Sequence, residues 1–206
     1  MERVPPTVAL QALRLNKTAM SRFTAEISKV FQRGAWLDVS GGGTLSIRVS
    51  DNIAPPSHED RIFPEDAKPY RTIETEGEGI RSYAAVCIML LLAQRALYLI
   101  DEPEMCLHPP QARAIGRFIG EHGKTVKGCI LVSTHSSPVL RSILETNQNV
   151  TVIRLTRNKG SFKGRQVSQD LLIKATRKPF SRSEIILDGL FADGDRKSTR
   201  LNSSHG

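Results

Sequence analysis

Two adjacent carboxylates, Asp101 and Glu102, follow directly on the apolar run Leu97-Tyr98-Leu99-Ile100 and precede Pro103 and Glu104. A short apolar run closed at once by acids and a proline predicts a fully buried parallel strand whose carboxyl end delivers both acids to a ligand crevice. A second run, Cys129-Ile130-Leu131-Val132, predicts another buried strand, and it ends in Ser133-Thr134-His135-Ser136. Side by side, the two strand ends gather carboxylates, hydroxyls and an imidazole around one spot. A strand-end carboxylate can hold Mg²⁺ through water, and the acid beside it can orient or deprotonate an attacking water. The chemistry that suits this set is metal-assisted hydrolysis of a nucleoside triphosphate. The plain alternative is a strand that ends in a polar turn and a histidine satisfied in the core.

The elements that must position these residues are legible in outline. Tyr83 to Arg95 is nearly all apolar and predicts a buried helix feeding the first strand. Pro110 to His122 places Ala112, Ile115, Phe118 and Ile119 on one helical side, with Gly123 as the stop. Ser137-Pro138 predicts a helix start with proline at its first position, running to about Leu144. Strand, helix, strand, helix predicts an α/β fold: a parallel sheet with right-handed crossovers and flanking helices. Upstream, Thr18 to Phe31 has helical spacing and Gly34 stands where the helix would stop. Trp36 to Val39 and Leu45 to Val49 predict a hairpin about Ser40-Gly41-Gly42-Gly43, then a surface loop over Asp51 to Lys68 and a short strand at Arg71 to Glu74. Downstream, Val150 to Thr156 and Arg165 to Val167 predict an edge hairpin around Asn158-Lys159-Gly160, followed by a helix over Gln169 to Thr176.

At 206 residues and 39% hydrophobic, the chain can bury one ordinary core. Its formal charge of +8 is not spread evenly. Between Arg154 and Arg182 stand nine Lys/Arg against the single acid Asp170, an excess that equals that of the whole chain. Such a segment suits the phosphates of a nucleic acid, or is simply a solvated face. Cys87, Cys106 and Cys129 are odd in number and lack a Cys-x-x-Cys spacing, which reads as reduced core cysteines of a cytoplasmic protein. No signal-peptide pattern opens the chain, and the longest apolar run, Ala84 to Ala93, is about half a membrane span, so no membrane partner is expected.

Leu97 to Pro109, followed at this distance by Leu131-Val132-Ser133-Thr134-His135-Ser136, resembles the Walker B, D-loop and switch-histidine series of ABC-type P-loop ATPases. The form Asp-Glu-Pro-Glu-x-x-Leu-His-Pro is similar to the OLD, RecF and SMC branch, and the resemblance runs from about Asp38 to Phe191. It implies ATP and Mg²⁺ as cofactors, with Asp101 as the metal ligand, Glu102 as the catalytic base and His135 at the γ-phosphate beside Ser133 and Thr134. Glu104 and His108 fall in the D-loop region, where a homodimer of ATPase heads would communicate. Glu76-Gly77-Glu78-Gly79 stands one helix before the acids, where the signature loop of the family sits, so Gly77 and Gly79 resemble residues that reach the partner's ATP. The serine of the usual Leu-Ser-Gly-Gly-Gln form is absent.

A nucleotide site of this kind also needs Gly-x-x-x-x-Gly-Lys-[Ser/Thr] between an earlier strand and helix, and these residues contain none. Gly123-Lys124-Thr125 does not qualify, because Phe118 occupies the position of the first glycine. The expectation is therefore an incomplete ATPase domain over residues 1–194: a helical lead-in to 35, hairpin and loop over 36–75, signature, Walker B and switch-histidine core over 76–145, and a hairpin and helix over 150–194. Residues 195–206 resemble a translated sequencing adapter and are expected to be non-native. Ser183 to Gly194 resembles the segment that leads into a Toprim nuclease domain in OLD-like proteins. The intact protein would hydrolyse ATP, coupled to DNA processing or a nuclease, and the piece alone would be inactive. Two rivals predict different features: a membrane transporter's ATP-binding subunit would carry Leu-Ser-Gly-Gly-Gln, and a non-catalytic dimerisation or DNA-binding module would need none of Asp101, Glu102 and His135.

Overall fold

Burial of an almost wholly apolar helix, α3 (Glu78–Leu92), organises the larger of two units. The computed structural model describes residues 9–41, 44–51, 70–92, 95–158 and 161–177. They divide into a unit of Met1–Asn147 and a unit of Gln148–Gly206. Ile80, Tyr83, Ala84, Val86, Cys87, Ile88 and Leu90 of α3 are all buried, a spread too wide for one stripe and therefore a helix covered on several sides. Helices α1 (Ala9–Leu15) and α2 (Lys17–Phe31) pack against it. From α2 come Ala19, Phe23 and Ile27 at four-residue spacing, and the Tyr83 hydroxyl donates to Glu26 at 2.7 Å. Asn16 starts α2 by accepting from the Ala19 amide at 3.0 Å. The helix ends at Gln32, not at Gly34: Gln32 takes the left-handed conformation (φ 55°) and donates to the Ser28 carbonyl, while Gly34 is the first residue of a strand.

That strand, β1 (Gly34–Gly41), pairs antiparallel with β2 (Thr44–Ser50), which pairs with the two-residue β3 (Arg71–Thr72). The predicted hairpin is present, with Asp38 buried and held by Arg48 at 2.9 Å. The strand predicted over Arg71 to Glu74 is cut short by a 3₁₀ turn at Ile73–Thr75. Gly42, Gly43 and most of the predicted loop over Asp51 to Lys68 lie outside the described residues.

A second sheet holds β4 (Leu97–Asp101) and β5 (Cys129–Ser133) in parallel register, Leu97 opposite Cys129 through Asp101 opposite Ser133. Helix α4 (Pro109–Gly123) connects them and α5 (Ser137–Thr146) follows. The fold is α/β, as the alternation of elements predicts. Helix α4 admits α5 closely because Gly116 and Gly120 face it. A methyl at Gly116 would stand 2.6 Å from the Val139 carbonyl, and one at Gly120 would stand 3.0 Å from that of Ile143. The strands depart from expectation. Neither is fully buried: Tyr98 and Ile100 are enclosed, while Leu97, Leu99 and Leu131 are 52%, 69% and 53% exposed, because among the described residues nothing covers their side of the sheet. Cys106 and Cys129 are accordingly exposed free thiols, and only Cys87 is a core cysteine. Helix α3 also begins earlier than predicted, at Glu78, because its amino-terminal turn packs on the loop after β4.

The second unit contains the hairpin β6 (Ile153–Asn158) and β7 (Ser161–Gln166), antiparallel, followed by α6 (Gln169–Arg177). Among its described residues, Val167 and Leu172 are buried. The Toprim-like stretch and the adapter-like tail lie outside the described residues.

Candidate active site

Parallel pairing carries Asp101 and Ser133 to the carboxyl ends of neighbouring strands, where the Ser133 hydroxyl donates to Asp101 Oδ1. One further ladder bond, from the Glu102 amide to the Ser133 carbonyl at 3.0 Å, extends the pairing past the strand. The chain then turns sharply. Glu102 has φ 42° and Cys106 φ 60°, left-handed conformations that cost a non-glycine residue of order 1–3 kcal/mol each. Pro103 is fully buried as an anchor, and amides of Met105 and Leu107 donate to the carbonyls of Glu102 and Glu104, both at 3.0 Å. The strained turn points Glu102 at the end of β5, where its Oε1 lies 3.1 Å from His135 Nδ1.

Five of the residues singled out from the sequence therefore meet: Asp101, Glu102, Ser133, Thr134 and His135. Their environment is graded. The side chains of His135 and Glu102 are 71% and 42% exposed, whereas that of Glu104 is 9% exposed. Glu104 is the residue whose importance the spacing alone did not reveal. Its Oε1 accepts from the Thr134 hydroxyl at 2.7 Å and from the His135 amide at 3.1 Å. The signal was present in Glu-Pro-Glu, because a proline-anchored turn brings the second carboxylate back beneath the first.

Gly77 and Gly79 are not equivalent. Gly77 precedes α3 and a methyl there would meet nothing within 4 Å, so it is open to an approaching group. Gly79 lies inside the first turn of α3, where a methyl would collide with the Cys106 carbonyl and stand 3.2 Å from Leu107. Its glycine serves helix-to-turn packing. His108 precedes α4 and its amide donates to the Gln111 side chain at 3.0 Å, so the structure uses it to begin a helix.

Among the described residues no three His, Cys, Asp or Glu side chains gather into a metal cage. The donor set is one strand-end carboxylate, Asp101, with the Ser133 hydroxyl beside it. That fits Mg²⁺, which keeps several waters and takes its other ligands from substrate phosphates, and does not fit a cation held by protein alone.

The fold itself is of a known kind. The chain superposes on a structure from work on ATP-driven dimerization and DNA-stimulated activation of SMC ATPases, with a TM-score of 0.53 and 15% identity over 84% of this chain and 99% of that one. The Smc head domain of Pyrococcus yayanosii gives a TM-score of 0.56 and 15% identity over 80% of this chain and 29% of that one. An Smc head bound to the C-terminal winged-helix domain of ScpA gives 0.56 and 16% over 79% and 46%. The fold is thus that of the SMC ATPase heads. Residues 25–142, more than half of the chain, match the family described as "AAA domain, putative AbiEii toxin, Type IV TA system", and the chain belongs to that family of AAA-type ATPases. Protein ea59 of Escherichia phage lambda is 24% identical over 102 residues, 46% of this chain, and the chain spans 19% of that protein's length. No helix among the described residues is long and apolar enough to cross a membrane.

Proposed function

We propose that the site hydrolyses ATP, with Asp101 as the Mg²⁺-holding carboxylate, Glu102 as the general base and His135 as the contact to the γ-phosphate. The observation that carries this reading is the Glu102–His135 pair at 3.1 Å, set beside the Asp101–Ser133 pair by one ladder of hydrogen bonds. Glu102 Oε takes the proton of the attacking water, and its exposure leaves room for that water. His135 gives Nδ1–H to Glu102, and with the ring doubly protonated Nε2–H donates to a phosphate oxygen. Ser133 and Thr134 place hydroxyls at the same edge, and Gly77 offers an unobstructed backbone to the nucleotide of a second head. Gly79 supports this loop by packing the first turn of α3 against the Cys106 carbonyl. When bound, Mg²⁺ neutralises phosphate charge and polarises the phosphoryl oxygens. ATP turnover by the protein expressed from its complete gene tests the reading. Asp101→Asn should abolish the Mg²⁺ dependence of nucleotide binding, and His135→Ala should lower kcat about 10²-fold or more. Turnover that persists in both variants would refute it.

The protein would work as an OLD- or RecF-like homodimer of heads acting on DNA, with a nuclease as the output. Dimerisation driven by ATP is stated for the similar SMC ATPases. For DNA the supporting observation is the hairpin of the second unit, where Arg154 lies opposite Arg165 and Thr156 opposite Lys163. A two-stranded ribbon that carries cations on one face fits a major groove and its flanking phosphates. Binding to duplex DNA should weaken with salt at a log–log slope of about −3 if these three cations meet phosphates. A slope near zero would remove DNA from the reading.

A further inference from the structure

We propose that Glu104 is the positioning residue for His135: a buried carboxylate that staples the turn after β4 to the turn after β5 and so fixes where the histidine stands. The inference rests on the hydrolytic reading for its purpose and on geometry for its substance. Oε1 of Glu104 collects three groups of the opposing turn, the Thr134 hydroxyl at 2.7 Å, the His135 amide at 3.1 Å and, at 3.4 Å, His135 Nδ1. The chain of bonds continues into α5. Thr134 Oγ1 accepts from the Ser136 amide at 3.0 Å, and Ser136 Oγ caps the helix by accepting from the Val139 amide at 3.4 Å. From one carboxylate, then, run the backbone at His135 and the start of the helix behind it.

Two further features separate Glu104 from a polar residue that happens to bond its neighbours. It is far more buried than either Glu102 or His135, so its bonds form where water competes least. Its Oε2 is buried with no partner among the described residues, a cost tolerated where Oε1 is held in one place by several donors. Two glutamate oxygens, Oε1 of Glu102 and Oε1 of Glu104, also converge on His135 Nδ1. Carboxylates only accept, so this arrangement calls for a proton on Nδ1, and Nε2, across the ring, needs a second proton to meet a phosphate oxygen. Glu104 thus acts through His135 and is not itself placed on the nucleotide.

Amide hydrogen exchange of the full chain, measured by NMR without nucleotide, decides the matter separately from any assay of hydrolysis. Glu104→Ala should speed exchange at the His135 amide about tenfold to a hundredfold, while Ile115 and Phe118 in α4 keep their protection. Glu104→Gln, which retains an acceptor oxygen, should restore most of it. Thr134→Val removes one donor and leaves the carboxylate in place. It should speed exchange at Ser136, whose amide loses its acceptor, about twofold to tenfold, and it serves as the deciding variant if Glu104→Ala loses protection in α4 as well. Unchanged exchange at His135 and Ser136 in a folded variant would overturn the inference. In the hydrolysing protein, Glu104→Ala should lower kcat with KM for ATP nearly unchanged, and a raised KM at full kcat would likewise overturn it. A loosened His135 with full kcat and unchanged KM would instead uphold the positioning and refute the catalytic part assigned to the histidine.

Discussion

Tyr98 and Leu99 are neighbours on one strand, yet the first is 2% exposed and the second 69%. The same split runs along β4 and β5: the side bearing Tyr98 and Ile100 is enclosed, and the side bearing Leu97, Leu99 and Leu131 is open. Parallel strands are ordinarily covered on both faces, which is why they read as continuous apolar runs. An apolar run therefore reports that both faces are suited to burial, and only the structure says which one is met. Asp101 and Ser133 continue the open row, in phase with Leu99 and Leu131, so the site stands at the end of the exposed side while Tyr98 and Ile100 anchor β4 from the other.

The two sides should answer mutation very differently, and urea unfolding measures it. Ile100→Ala should cost about 2–5 kcal/mol, the usual range for truncating a buried aliphatic side chain. Next in size, Gly116→Ala should cost about 1–3 kcal/mol, because its methyl must push α5 away at the Val139 carbonyl. His122, stacked on Phe118 and bonded through Nδ1 to the Phe118 carbonyl at 2.8 Å, gives the enclosed side a pH signature. Burial lowers its pKa below the ordinary 6.5, so the folded chain keeps the ring neutral while the unfolded chain takes up a proton. That contribution to stability is present above about pH 6.5 and is lost as the pH falls below it, and His122→Phe should flatten this acid limb. Smallest of all, Leu99→Ser should change stability by no more than about 0.5 kcal/mol, as for an ordinary surface position. A cost at Leu99 equal to that at Ile100 would break the comparison and show the open side to be covered.

Much of the site was legible because its signals are local. Acids closing an apolar run, and hydroxyls and a histidine closing the next, placed Asp101, Glu102, Ser133 and His135 at adjacent strand ends, where the structure has them. Ser137-Pro138 likewise marked the start of α5, although Ser136 is the cap and proline takes the second helical position, not the first. What escaped depends on contacts distant in sequence. Glycine suggested a helix stop at Gly34, but Gln32 accepts the left-handed backbone and Gly34 enters a strand. Gly79 suggested an anion loop, and its reason for being glycine is the Cys106 carbonyl. The grip of Glu104 on Thr134 spans thirty residues and has no periodicity to betray it.

Hydrolysis at Glu102 is the claim on which the rest depends, and one substitution addresses it. The protein expressed from its complete gene should bind ATP with Mg²⁺ and turn it over, and Glu102→Gln should keep the binding while kcat falls about 10²–10⁴-fold. Equal turnover in wild type and Glu102→Gln, or a wild type that binds no ATP, would contradict the account.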